Sequence, residues 1–211
     1  MSTAVIGTGN IGSALARHLV AGGEPIVLAA SEPPEALARK LGDLASAASV
    51  SEAIEAADTV IFAVWLDVMK NLISQNLPGL DGKIVADTSN PVAPDDKGNF
   101  HRTLPDGVSS GSVIAGLIPA SAHFVKAFGT LGAESLKDGA NRTPTRAVLF
   151  YATDDDRAQA VIERLISAAG FDPVKAGGVN DTIRIEMYGD LHQFGGLNGR
   201  LVDQAEARAA L

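Results

Sequence analysis

Residues 4–31 read "AVIGTGNIGSALARHLVAGGEPIVLAAS", and this stretch decides the fold. An apolar run enters a glycine-spaced turn. Ile11, Leu15 and Leu19 then recur at i, i+4 and i+8, as one face of a helix does, and a second apolar run, "PIVLAA", comes next. Strand, tight turn, helix and strand in this order make a βαβ unit, which places both strands in a parallel sheet.

The turn itself has a chemistry. Gly7, Gly9 and Gly12 stand in G-x-G-x-x-G spacing. The first glycine permits the tight turn, the second lets a pyrophosphate approach the backbone, and the third lets helix and strand pack closely. Unpaired N–H groups and the positive end of the helix dipole then attract anionic phosphates. Gly7, Thr8, Gly9, Asn10, Ile11 and Gly12 are therefore candidate cofactor-binding residues. The end of the second strand selects between the two nicotinamide dinucleotides, and here it offers Ala29, Ala30, Ser31 and Glu32. Ser31 can donate to a 2′-phosphate, whereas Glu32 would repel it or hydrogen-bond a free ribose diol. Arg39 and Lys40 come later, on the next helix, and read as solvated charges.

Outward from this unit the alternation continues. Pro33 and Pro34 suit a helix start at "EPPEALARKLG", with Gly42 as its stop. "DTVIFAV" is a buried strand whose end brings Ala63, Val64 and Trp65 to the edge where ligands bind in open α/β sheets. "GKIVADTSN" is another strand, and Asn90 at its end is a candidate partner of a ribose or carboxamide; the alternative is a plain turn before Pro91. From Pro91 to about Gly116 the composition is that of a loop. "AHFVKAF", "RAVLFYAT" and "FDPVKAG" read as strands, with "DDRAQAVIERLISAAG" a helix burying Val161, Leu165 and Ile166. Asp154 to Asp156 read as a helix cap. The tail from about Asn180 to Leu211 is helical by pattern, although "FGGLNG" interrupts it.

The bulk composition excludes several classes. The net charge of −8 disfavours nucleic acid, which needs a basic stripe. No apolar run is long enough to span a membrane, and the first residues lack the pattern of a signal peptide, so the expectation is a cytoplasmic protein without a membrane partner. There is no cysteine, and His18, His101, His123 and His192 show no ligand spacing, so no metal site is expected. "GVSSG" at residues 107–111 matches the serine-hydrolase elbow, but "HRTLPD" before it is not a buried strand, and that reading is set aside.

With these blocks in hand the chain resembles the NADPH-dependent coenzyme F-420 (deazaflavin) reductases. The resemblance rests on "GTGNIG", "DTSNP", "HFVKAFGTLGAESL" and "YATDDDRAQAVIERLISAAGFDPVKAG". It implies an α/β Rossmann-type doubly wound parallel sheet with a small C-terminal α/β extension ending in a helix. Residues 1–118 would be the dinucleotide-binding domain and residues 119–211 a region completing the acceptor site. The implied cofactor is NADP, with NAD as the alternative, and the implied co-substrate is a flavin or deazaflavin. Direct hydride transfer between the two rings needs stacking and orientation rather than a dedicated acid or base, so no catalytic residue is assigned.

The sequence departs from the family at two places. Ala30 and Ser31 stand where the family carries a Ser-Arg pair, and Gly129 stands where it carries Asn or His. Lys126 and Thr130 remain as candidate substrate contacts. Two alternatives stay open: an NAD(P)H-dependent imine or keto reductase, and a non-catalytic NADP(H)-binding redox sensor. Ile183, Ile185, Met187, Leu191, Phe194, Leu197 and Leu201 exceed one stripe on the expected terminal helix, which predicts a homodimer.

Overall fold

A computed structural model describes residues 2–211. Eight strands form one sheet in the order β10-β9-β8-β5-β4-β1-β2-β3. The first five are β1 (Thr3–Ile6), β2 (Ile26–Ala29), β3 (Ala45–Ala47), β4 (Thr59–Phe62) and β5 (Ile84–Asp87). Helices α1 (Asn10–Ala21), α2 (Glu35–Leu41), α3 (Val50–Ala56) and α4 (Leu66–Asn76) connect them in turn. All pairings among these strands and β8 are parallel. The chain leaves β1 toward β2 and β3 on one side and builds β4, β5 and β8 on the other, so the strand order reverses between β1 and β4.

Alternation along the strands sorts the core into two faces, as a period of two requires. Val5, Leu28, Ile61 and Ala86 pack against α1 and, farther along the chain, α7 (Asp156–Ala168). Ala4, Ile6, Val60, Phe62 and Val85 face the opposite way, onto α3 and α4. α7 buries Val161, Leu165 and Ile166 as its periodicity predicts, and Asp155 caps it by accepting from Ala158 N–H.

Three parts of the chain differ from the sequence expectation. The loop expected from Pro91 to Gly116 holds a short antiparallel hairpin, β6 (Val92–Pro94) and β7 (Phe100–Arg102), and the helix α5 (Ser110–Ala115). Asp95 closes the hairpin turn by accepting from the N–H groups of Lys97 and Asn99. Ser109 caps α5, so "GVSSG" opens a helix with no strand leading into it.

The second difference lies across the sheet. After β8 (His123–Lys126) and α6 (Ala133–Asp138), β9 (Val148–Ala152) runs antiparallel to β8, with Lys126 paired to Ala152. β10 (Asp172–Gly177) pairs in parallel with β9. These strands extend the same sheet, so residues 119–211 continue the layer that residues 2–118 begin.

The third is the tail. A 3-10 helix spans Val179–Ile185, residues 186–203 are irregular, and only α8 (Gln204–Ala209) is α-helical. Gly189, Gly195 and Gly196 cause this. A Cβ on any of them would come within 2.0–2.3 Å of a backbone carbonyl oxygen, so the segment folds back on itself more tightly than a helix allows. Ile185, Leu191 and Val202 are spent inside the chain's own core beside Phe150 and Val174. The apolar stripe expected to make a homodimer does not exist as a helix face. No helix among the described residues is long and apolar enough to cross a membrane.

Candidate functional site

The sheet brings the ends of five strands into one row. Ala29 pairs with Ile6, Ile6 with Phe62, Phe62 with Asp87, and Asp87 with Lys126. Every candidate residue read from the sequence lies at or just beyond one of these strand ends, so the fold gathers them along a single edge, the ligand-binding edge of open α/β sheets.

At the point of strand reversal, Gly7 adopts φ +100° and its N–H donates to Ala29 O at 2.7 Å. A side chain here is excluded twice over, by the positive φ and because its Cβ would lie 2.4 Å from Ala63 O. At Gly12 a Cβ would meet Gly7 O at 1.9 Å, so this glycine sets how closely α1 approaches the turn. At Gly9 a Cβ would meet nothing within 4 Å. Gly9 is the N-cap of α1, no side chain caps the helix, and no acid stands in its first turn. The first N–H with an acceptor is that of Ser13, which bonds Gly9 O at 2.9 Å. The N–H groups of Asn10, Ile11 and Gly12 are thus without an acceptor, beside the empty space at Gly9 and the half-buried Thr8. This cradle fits a pyrophosphate.

Beyond β2, Ser31 and Glu32 are exposed. Beyond β4, Ala63 and Val64 are half-buried and Trp65 is 53% exposed at the N-terminus of α4. The Trp65 ring lies 6.2 Å from that of Phe100 on β7, and Tyr188 Oη donates to Phe100 O at 2.6 Å. A largely apolar recess of about 300 Å³ opens between Trp65, Leu66, Val92, Pro94 and Thr103. The hairpin that composition alone reads as loop therefore supplies one wall of the edge.

Beyond β5 and β8 the structure holds its polar groups differently from the sequence expectation. Asn90 donates from Nδ2 to Gly129 O at 3.0 Å and accepts at Oδ1 from Met187 N–H at 2.6 Å. One amide hydrogen is left for a cofactor. Lys126 is buried and fully paired: it is 2% exposed, and Nζ donates to Asp87 Oδ2 (2.8 Å), Ser89 O (2.7 Å) and Ser110 Oγ (2.9 Å). Ser110 in turn donates to Glu186 Oε1 at 2.9 Å, which also accepts from Gly111 N–H at 3.1 Å. Arg102 stands 3.8 Å from Glu186 Oε2. Two acids and Lys126 are thus buried with the half-buried Arg102 beside them, so that the charges balance, although Glu186 Oε2 accepts no hydrogen bond.

Thr130 is also buried, with Oγ1 unpartnered and its carbonyl accepting from Gln193 N–H. Position 129 is glycine because a Cβ there would lie 2.5 Å from Thr88 O. The polar groups at that point come instead from Asn90 and from His192. His192 Nδ1 accepts from Phe194 N–H at 3.0 Å, which leaves the proton on Nε2 to donate to Gly129 O at 3.1 Å. Burial, and secondarily the nearby Lys126 charge, push the imidazole down to about 4, against the hydrogen bond to Gly129, so it is neutral at pH 7. Sequence reasoning missed Glu186, Arg102 and His192. Only Glu186 carried a signal, an acid between Ile185 and Met187.

Comparison with known proteins adds to this geometry. Residues 2–91 match the family described as NADP oxidoreductase, coenzyme F420-dependent. A hypothetical protein of Sinorhizobium meliloti superposes with a TM-score of 0.82 at 30% identity, over 96% of each chain. A candidate F420-dependent NADP reductase from an Arthrobacter species superposes at 0.73 with 21% identity, over 86% of this chain and 87% of that one. An imine reductase from Aspergillus terreus, solved with NADPH4, superposes at 0.63 with 18% identity over 86% of this chain but 56% of its own. Among curated protein sequences, none matches this chain.

Proposed function

We propose that this chain, whose residues 2–91 match the family of coenzyme F420-dependent NADP oxidoreductases, is a reductase that moves hydride between a nicotinamide dinucleotide and a flavin- or deazaflavin-like ring. The observation that carries this reading is the glycine turn at the strand reversal, with open space over Gly9 and three unpaired N–H groups at the start of α1. The pyrophosphate would lie on Gly7, Thr8, Gly9, Asn10, Ile11 and Gly12, and Ala63, Val64 and Trp65 would wall the nicotinamide half. When bound, the dinucleotide supplies the hydride. The protein's part is to hold the two rings in contact and exclude water, which the exposed Trp65 and Phe100 rings and the apolar recess beside them suit.

A second reading, reduction of an imine or keto group, draws on the superposition with imine reductases. The chain spans 56% of the length of the Aspergillus terreus enzyme. Loss of reduced-nicotinamide absorbance, monitored with a deazaflavin, a flavin and a cyclic imine as acceptors, tests both. Turnover with the ring acceptors is expected. Turnover with the imine alone, or binding of NADPH with no turnover at all, overturns the proposal.

A further inference from the structure

The end of β2 determines what the adenosine ribose of a bound dinucleotide meets. In a βαβ site a carboxylate there hydrogen-bonds the ribose diol, whereas a 2′-phosphate calls for a cation. The hydrogen bond from Gly7 N–H to Ala29 O places the chain leaving β2 directly beside the glycine turn. From Ala29 the chain runs on through Ala30, Ser31, Glu32, Pro33 and Pro34. Ser31 offers one hydroxyl, and the two prolines offer no N–H. Glu32 is exposed, and its carboxylate has no hydrogen-bond or ion-pair partner among the described residues. The next cations in the chain are Arg39 and Lys40 in the last turn of α2, about 6–8 Å of helix rise beyond its first residue. Arg39 lines a groove with Asp43, Ala45 and Ala47, between α2 and the edge strand β3. Among the described residues no cation is hydrogen-bonded to or ion-paired with Ser31 or Glu32.

Resting on the reading of the glycine turn as a dinucleotide site, we infer that this chain does not select for the 2′-phosphate: Ser31 and Glu32 read the adenosine ribose, and the cofactor is taken with or without that group. The Ser31 hydroxyl serves either a diol or a phosphate. The Glu32 carboxylate accepts from a diol and repels a phosphate, which offsets what Ser31 contributes to it.

Isothermal titration of the full chain with NADH and with NADPH at physiological salt tests this. NADPH is expected to bind no more than about tenfold more tightly than NADH, a difference below about 1.4 kcal/mol. Glu32→Arg is expected to tighten NADPH by about tenfold relative to NADH, since it exchanges a repulsion for a charge-assisted hydrogen bond. Wild-type NADPH binding more than tenfold tighter than NADH overturns the inference and leaves the oxidoreductase reading standing. A Glu32→Arg variant with an unchanged ratio also overturns it. Binding of neither dinucleotide overturns the reading itself, and the inference with it.

Discussion

Gly9 and Gly12 are three residues apart in one turn and have opposite constraints. Gly12 is fixed by packing, because its Cβ would lie 1.9 Å from Gly7 O, whereas the space beside Gly9 is empty. Gly12→Ala should therefore force α1 away from the turn and cost about 3 kcal/mol, the upper range for overpacking. Gly9→Ala should cost about 1 kcal/mol or less, since alanine is only a poorer N-cap than glycine. Its methyl group would stand where the proposed site would hold the pyrophosphate, so NADPH affinity should fall about tenfold or more, on the order of 1.4 kcal/mol. Chemical denaturation and titration of both variants separate the two roles; a Gly9→Ala variant that binds NADPH as the parent does would refute the cradle. These glycines were legible in the sequence because turn, helix start and strand are local to one another. Lys126 was not, because its surroundings are supplied by Asp87, Ser110 and Glu186, far from it along the chain.

At the scale of elements, the buried charges fasten the tail to the sheet. Glu186 comes directly after the 3-10 helix and is fully buried against α5 and the end of β8, facing Lys126 and Arg102 at 3.8 Å each. Such a set is a weak source of net stability when intact and a large liability when one member is removed, since the partner charges stay in the interior without compensation. Glu186→Ala should cost about 3–5 kcal/mol. Glu186→Gln keeps an acceptor for Ser110 and Gly111 and should cost about 1–3 kcal/mol. Urea unfolding of the two variants checks the order, and equal losses would show that the acceptor at 186 contributes nothing beyond the charge. In the first 90 residues α1 was legible by its period of 3.6 and β1, β2, β4 and β5 as short apolar runs between turn residues, whereas β3, three residues long, was not. The hairpin β6–β7 was not: its strands are three residues each, too short for a period to register, and Asp95 rather than a glycine pair organises the turn.

For the whole molecule, the widest gap between sequence pattern and structure is the tail, and its cause is steric. The apolar residues at 183–201 recur as on a helix, but Gly189, Gly195 and Gly196 allow backbone-to-backbone contacts that no other residue tolerates, and the segment becomes a strap. That strap covers the end of the sheet built by β9 and β10. It places Ile185, Leu191 and Val202 against Val148, Phe150 and Val174, and the backbone bond from Val148 N–H to Val202 O closes over the start of β9. Each such side chain contributes roughly 1.5–3 kcal/mol by burial. Removing the strap strips one group of three and uncovers the other, a loss on the order of 10 kcal/mol, as large as the stability of an ordinary domain. A chain ending at residue 178 keeps the whole glycine turn and all ten strands, yet it should unfold without a cooperative thermal transition and elute as aggregates in gel filtration. If the sheet of residues 2–178 were self-sufficient, the fragment would melt cooperatively within a few degrees of the full chain. The strap would then be an accessory to the site. The present packing instead makes it part of the core, which is why residues that hold the tail, Asn90 through Met187 and Gly129 through His192, are the same ones that border the candidate site.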